Sequence, residues 1–254
     1  MELTFLGTGT SQGIPIVGSN HPVCLSADQK DKRLRTAAMI SWGDHRYIID
    51  CGPDFRAQML YHDVVKIDGL LITHEHADHT AGIDDIRPYC FRQGAIKVYA
   101  NQPTIESLKR RFDYIFESEN KYPGAPSVAI SEISKERPFK LADKWVTPIE
   151  VNHNRIDVMG FRIDDFAYFT DVKRMDDVEM KKLKGVKTLV LNALRIESHH
   201  SHLNLEEAID LSKKIGAEQT YFTHISHLLG FHKEVDAQLP KGIHLAYDNL
   251  KISI

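Results

Sequence analysis

The sequence predicts an α+β fold in one domain, residues 1–254, and three observations carry that expectation. Short apolar runs with strand character recur in both halves, and segments of helical periodicity lie between them. No Pro/Gly/Ser-rich linker, internal repeat or low-complexity tract divides the chain, which at 254 residues is long enough to bury a large core. Hydrophobic residues at 42% and charged residues at 26% are the balance of a globular chain, not a disordered one.

In chain order, the strand-like runs are residues 3–6, 37–42, 47–49, 70–73, 96–100, 145–151, 188–191, 220–223, 243–246 and 250–254. Helical periodicity marks 55–61, 104–116, 178–183, 205–215 and 231–238. The helix at 205–215 has the clearest bounds. Asn204 can accept a bond at its start, Glu207 can reach back as in a capping box, and Gly216 ends it. The stretch 117–127, with Pro123, Gly124 and Pro126, is the best candidate for a long mobile loop, read as an ordinary connection in preference to a lid.

A formal net charge of −3 gives no general attraction for a polyanion, so a small substrate is favoured over extended nucleic acid. Cys24, Cys51 and Cys90 are odd in number and far apart, unlike a disulfide framework, which points to a reducing compartment. No segment reaches the roughly 18 apolar residues of a membrane span, and residues 1–7 show no basic lead before an apolar stretch. A cytoplasmic location without membrane attachment is therefore expected.

Chemistry concentrates in the histidines, 14 in all, many of them clustered at 74/76/79, 199/200/202 and 224/227. The apolar run Gly69-Leu70-Leu71-Ile72 gives way to His74, His76, Asp78 and His79. Alternation along extended backbone puts His74 and His76 on one side, and a turn after them brings Asp78 and His79 to a neighbouring point. One loop can thus serve two metals. Imidazole and carboxylate suit zinc, manganese or iron, and no cysteine in the run asks for a softer ion.

The order His-x-His-x-Asp-His resembles the signature of the metallo-β-lactamase superfamily. The similarity extends to the turn Leu6-Gly7-Thr8-Gly9-Thr10, the strand end Ile49-Asp50-Cys51-Gly52, and three later positions that each end an apolar run: His153, Asp171 and His224. The resemblance implies a four-layer αββα sandwich with two divalent ions, zinc or manganese, at one edge. It implies one ion held by His74, His76 and His153, the other by Asp78, His79 and His224, and Asp171 bridging them. Such a pair can hold a water, lower its pKa enough to present hydroxide at neutral pH, and neutralise charge on a phosphoryl or carbonyl oxygen. Asp78 could orient that nucleophile as well as bind metal, which makes it a catalytic candidate.

Residues 7–15 (Gly-Thr-Gly-Thr-Ser-Gln-Gly-Ile-Pro), followed by Asp31-Lys32-Arg33-Leu34-Arg35, resemble the branch containing phosphoribosyl 1,2-cyclic phosphate phosphodiesterase, a near relative of the tRNA 3′-processing endonucleases. In these enzymes a histidine before a capped helix contacts the phosphate or protonates the leaving oxygen. That makes His202 the second catalytic candidate, whereas His199 and His200 are read as a solvated turn. The branch often carries a structural zinc on a Gly-Cys-x-Cys-x-x-Cys run plus a later histidine. Here Ser19 and His21 replace two of the cysteines, leaving His21, Cys24 and His227 for an additional zinc that normally takes four ligands. The competing reading is a small buried Cys24 with two hydrogen-bonded histidines. Lys30, Lys32, Arg33 and Arg35 could attract phosphate, but Asp28 and Asp31 among them favour a solvated, self-paired loop.

Four alternatives compete with a small-phosphodiester hydrolase. A tRNA-processing endoribonuclease needs a basic arm, and only residues 154–170 separate His153 from Asp171. Redox relatives replace His76 by Glu, and degenerate binding relatives lose ligands that are all present here. A lactone or thioester hydrolase stays open, because the same hydroxide attacks carbonyl carbon. Dimers are common in the branch, and a homodimer is expected.

Overall fold

Fourteen strands form among the described residues, 1–117 and 121–254 of a computed structural model. They are β1 (Glu2–Gly7), β2 (Ala37–Trp42), β3 (His45–Ile49), β4 (Gly69–Leu71), β5 (Ile96–Ala100), β6 (Val128–Glu132), β7 (Phe139–Leu141), β8 (Lys144–His153), β9 (Ile156–Ile163), β10 (Phe166–Tyr168), β11 (Thr188–Asn192), β12 (Gln219–Thr223), β13 (Ile243–Leu245) and β14 (Lys251–Ser253). The helices are α1 (Pro22–Leu25), α2 (Phe55–Tyr61), α3 (Ala77–Thr80), α4 (Arg87–Gln93), α5 (Gln102–Arg111), α6 (Asp113–Phe116), α7 (Asp177–Lys181), α8 (Leu205–Ile215) and α9 (His232–Asp236).

Two seven-stranded sheets result, in the orders β14-β1-β2-β3-β4-β5-β6 and β13-β12-β11-β10-β9-β8-β7. In the first, β14 through β3 pair antiparallel and β3 through β6 pair parallel. The second repeats that pattern, antiparallel from β7 to β10 and parallel from β10 to β13. The two halves are therefore built on one plan without a sequence repeat, and β14 crosses back to complete the first sheet.

Side-chain alternation sets the layers. Phe5, Ile40, Ile49 and Leu71 of the first sheet meet Val146, Phe161, Tyr168 and Val190 of the second in the central core. The residues between them turn outward: Ile48, Leu70 and Val98 pack under Phe55 of α2 and Leu108 of α5. Leu189, Leu191 and Phe222 do the same under Ala208 of α8. Both faces of the central strands are covered, which is why runs such as Leu70-Leu71-Ile72 are apolar throughout. The architecture is the four-layer αββα sandwich.

The α8 capping box forms as expected. Asn204 Oδ1 accepts from Glu207 N at 2.9 Å, Glu207 Oε2 accepts from Asn204 N at 3.0 Å, and Gly216 takes φ +79°. The single helix expected over 104–116 is instead two, broken at Phe112, where the backbone leaves helical space. Of the loop expected over 117–127, residues 118–120 lie outside the described residues, and a turn closes with Ala125 N donating to Tyr122 O. No helix among the described residues is long and apolar enough to cross a membrane.

Candidate metal centre

The ligand-type residues named from the sequence meet at strand ends. His74 lies beyond β4, His153 ends β8, Asp171 follows β10 and His224 follows β12, while α3 folds Asp78 and His79 back toward His74. That return is set by backbone packing. A Cβ on Gly52 would sit 2.0 Å from the Asp78 carbonyl oxygen and one on Gly82 2.0 Å from the Gly52 carbonyl oxygen, so the two segments approach as only glycine permits. Asp50, Asp171 and His224 take positive φ, at 65°, 56° and 56°.

Three groups have donor atoms within 4.8 Å of one another and could hold an ion at these positions: His74/His76/His153, His74/His79/Asp171 and Asp78/His79/His224. His79 Nε2 is 3.1 Å from Asp78 Oδ2 and 3.3 Å from Asp171 Oδ2, and His224 Nε2 is 3.3 Å from Asp171 Oδ1. Asp171 thus lies between the sets. His74, His79 and His224 are at most 1% exposed, whereas His76 is open to solvent.

Hydrogen bonds fix which ring nitrogen of each histidine is free. His79 Nδ1 donates to Asp50 Oδ2 at 2.6 Å, and His153 Nδ1 donates to the Ser201 carbonyl at 2.7 Å. Thr73 Oγ1 spends its proton on Asp50, so it accepts from His74 Nδ1 at 3.0 Å. In each case Nδ1 is the committed nitrogen and Nε2 faces the centre, the arrangement a metal-ligating imidazole needs. His74 Nε2, His79 Nε2 and both nitrogens of His224 are buried without a hydrogen-bond partner. Such orphaned atoms are costly unless something binds them, so the donor set fits divalent cations.

Electrostatics agree. Burial opposes the charged form of His79, but Asp78, Asp50 and Asp171 around it hold its pKa well above the ordinary value. Burial likewise opposes ionised Asp171, yet His224, His79 and the His202 hydrogen bond keep its carboxyl well below the usual range. A proton on His79 is the cation these carboxylates retain in the metal-free chain. Burial drives His74 well below its ordinary pKa and His153 to about 4, which leaves both neutral and able to ligate.

His202 joins the centre: its Nε2 donates to Asp171 Oδ1 at 2.9 Å, and with His153 and Asp171 it forms a fourth ligand-type group. Burial pushes its pKa down against the pull of Asp171, so near neutral pH the ring is neutral with its proton on Nε2. His199 is not free in a solvated turn as the sequence suggests. Its Nδ1 lies 3.1 Å from His202 Nδ1 and 3.2 Å from Ser201 Oγ, because the chain reverses at Ser201, whose carbonyl is pinned by His153. His200 is exposed.

Other expectations are met differently. His21 and His227 pack edge to face at 4.8 Å, but the donor atoms of His21, Cys24 and His227 do not all lie within 4.8 Å of one another. His21 Nδ1 instead caps α1 by accepting from Val23 N. Arg33 is buried, donating to Thr8 Oγ1 and the Ala246 carbonyl, and Arg35 pairs with Asp54 at 2.9 Å. Arg33 and Arg35 therefore hold the fold together through distant segments that spacing does not reveal, while Lys30 is exposed and Lys32 bonds the nearby Cys24 carbonyl, as a self-paired loop would have it. Asp50, fully buried behind His79, is a site residue whose role the sequence reading left unassigned. Its signal is an acidic residue directly after an apolar strand.

Comparison with known proteins accords with this geometry. A beta-lactamase superfamily domain model matches residues 45–225. A crystal structure of a diphosphatase from the PhnP family is 38% identical with a TM-score of 0.93, covering 100% of this chain and 97% of that one. The octanoyltransferase of Porphyromonas gingivalis is 39% identical over 100% of this chain and 52% of its own length. The ribonuclease Z of Methanocaldococcus jannaschii is 27% identical over 74% of this chain and 53% of its own. This chain spans about half the length of those curated relatives. From the matched domain, the whole-chain similarity and the shared sandwich, the chain belongs to the metallo-β-lactamase superfamily and, within it, to the PhnP family.

Proposed function

We propose that this protein is a metal-dependent phosphodiesterase acting on a small substrate. His74, His76 and His153 would hold one divalent ion, Asp78, His79 and His224 a second, and Asp171 both; zinc and manganese suit these donors. Bound there, the ions supply an acidified water as nucleophile and charge neutralisation at the phosphoryl oxygens. The observation that carries the reading is His202, an imidazole beyond the seven ligands with its Nε2 proton 2.9 Å from Asp171 Oδ1. It can pass that proton to a departing alkoxide and be resupplied at Nδ1 through the Ser201 hydroxyl, 3.0 Å away. Asp78, 3.1 Å from His79 Nε2, stays anionic and orients the attacking water as well as binding.

A small substrate is supported by the formal net charge of −3, which gives no general attraction for a polyanion. It is supported also by β9 and β10 filling the span between His153 and Asp171, where a basic RNA-binding arm would be inserted. The diphosphatase relative favours a second reading, hydrolysis of a phosphoanhydride by the same groups.

Metal-loaded protein should be assayed against bis(p-nitrophenyl) phosphate, an organic diphosphate, a p-nitrophenyl monoester, a lactone and an acyl thioester, with His76→Ala and His202→Ala in parallel. Diester turnover abolished by His76→Ala and lowered about 10²- to 10⁴-fold in kcat by His202→Ala is expected. Cleavage of lactone or thioester without any diester turnover would move the protein to carbonyl chemistry.

A further inference from the structure

Arg111, the last residue of α5, comes from outside the ligand loops yet grips the backbone of one of them. Its Nη1 donates to the carbonyl of Glu75, the residue between His74 and His76, and its Nη2 donates to Thr80 Oγ1 at 2.8 Å. Thr80 Oγ1 in turn donates to the His76 carbonyl at 2.8 Å. The guanidinium lies over the Phe112 ring, 5.1 Å from its centroid, so it is seated as well as bonded. A basic residue in the last turn of a helix ordinarily serves the carbonyls of its own helix end; here two of its donors reach another segment.

We infer that Arg111 is a positioning residue for one of the two ions, setting the spacing of His74 and His76 through their shared peptide backbone. The inference rests on the two-ion reading above. The asymmetry is its substance. His79, next to Thr80, has an anchor of its own in the bond from its Nδ1 to Asp50, which does not run through the Glu75 carbonyl. His76 has no such support from a buried carboxylate: its ring is exposed, and the bond from Thr80 holds its carbonyl. A planar fork that bonds two acceptors at once is a task for Arg that Lys, with a single nitrogen, performs poorly.

The test is competition of zinc between a chromophoric chelator and metal-free wild type, Arg111→Met, Arg111→Lys and Thr80→Val, with far-UV circular dichroism on each. Wild type should take two equivalents. Arg111→Met should keep one equivalent at wild-type affinity and bind the second about 10- to 100-fold more weakly, with Arg111→Lys between the two. Thr80→Val removes the other end of the same brace and should show the same selective loss, which covers the case in which Arg111→Met does not fold. Cobalt substitution should show one of two ligand-field signatures altered. Two equivalents bound by the variants as by wild type, or both weakened equally, would overturn the assignment while leaving the two-ion reading intact. Wild type that never takes two equivalents overturns that reading and this inference with it.

Discussion

Asp50 shows how much of the centre is arranged by a residue that never faces its middle. Fully buried after β3, it accepts from Thr73 N at 2.9 Å and from Thr73 Oγ1, and it takes the Nδ1 proton of His79. Burial raises its pKa, with His79 and Thr73 pulling the other way. Replacing it by Asn keeps the shape but removes the charge that makes Nδ1 the donor. Asp50→Asn should weaken the ion of the Asp78/His79/His224 group about 10- to 100-fold and spare the other, the mirror image of Arg111→Met. Zinc competition checks this, and equal loss at both positions would refute the division of labour. Histidine and aspartate at strand ends announce themselves in a sequence. The Ser201 carbonyl and the Arg111 fork do not, because backbone atoms and partners 48 and 36 positions away have no local pattern.

At the scale of elements, the packing of 51–52 against 78–82 converts strand ends into a site. Cys51 N donates to His79 O and Gly82 N to Cys51 O, both at 2.8 Å, and a Cβ on Gly52 has no room against the Asp78 carbonyl. Gly52→Ala must push α3 away, at a cost of about 1–3 kcal/mol, and should lose metal out of proportion to stability. Urea unfolding of the metal-free variant beside its zinc affinity separates the two effects; unchanged affinity would show that the loop tolerates the shift. Long, two-faced strands such as β2 and β5 and the capped α8 were legible to the residue, since burial and periodicity coincide there. β9 escaped because Gly160 interrupts it, and that glycine is required: a Cβ would fall 2.2 Å from the Phe169 ring. The proline in the first turn of α4 masked its start.

The molecule as a whole closes around a buried polar knot that joins its two ends to the metal centre. Arg33 bonds Thr8 Oγ1, the Ala246 carbonyl and His232 Nδ1, while Asp248 accepts from Thr8 N at 2.9 Å and Leu34 N at 2.6 Å. Thr8 O in turn accepts from Ile225 N, so the knot seats the residue next to His224. Burial pushes the Asp248 carboxyl up to about 6, against bonds from Leu34 and Thr8. The folded chain keeps that proton to about pH 6 while the unfolded chain releases it near 3.8, so this stabilisation is full below 3.8 and is lost as pH rises to about 6. His232 runs the other way. Burial, with Arg33 beside it, lowers it to about 4 from 6.5, so its contribution is full above 6.5 and is lost as pH falls to about 4. The two slopes oppose each other between about pH 4 and 6, and neighbours in one knot thereby flatten the response to acid. Relative to wild type, metal-free His232→Gln should lose stability as pH rises from 4.5 to 6, and Asp248→Asn should gain it over the same interval. Urea unfolding at pH 4.5, 5.2 and 6 measures both, and difference profiles that run parallel would mean that these groups do not titrate against each other.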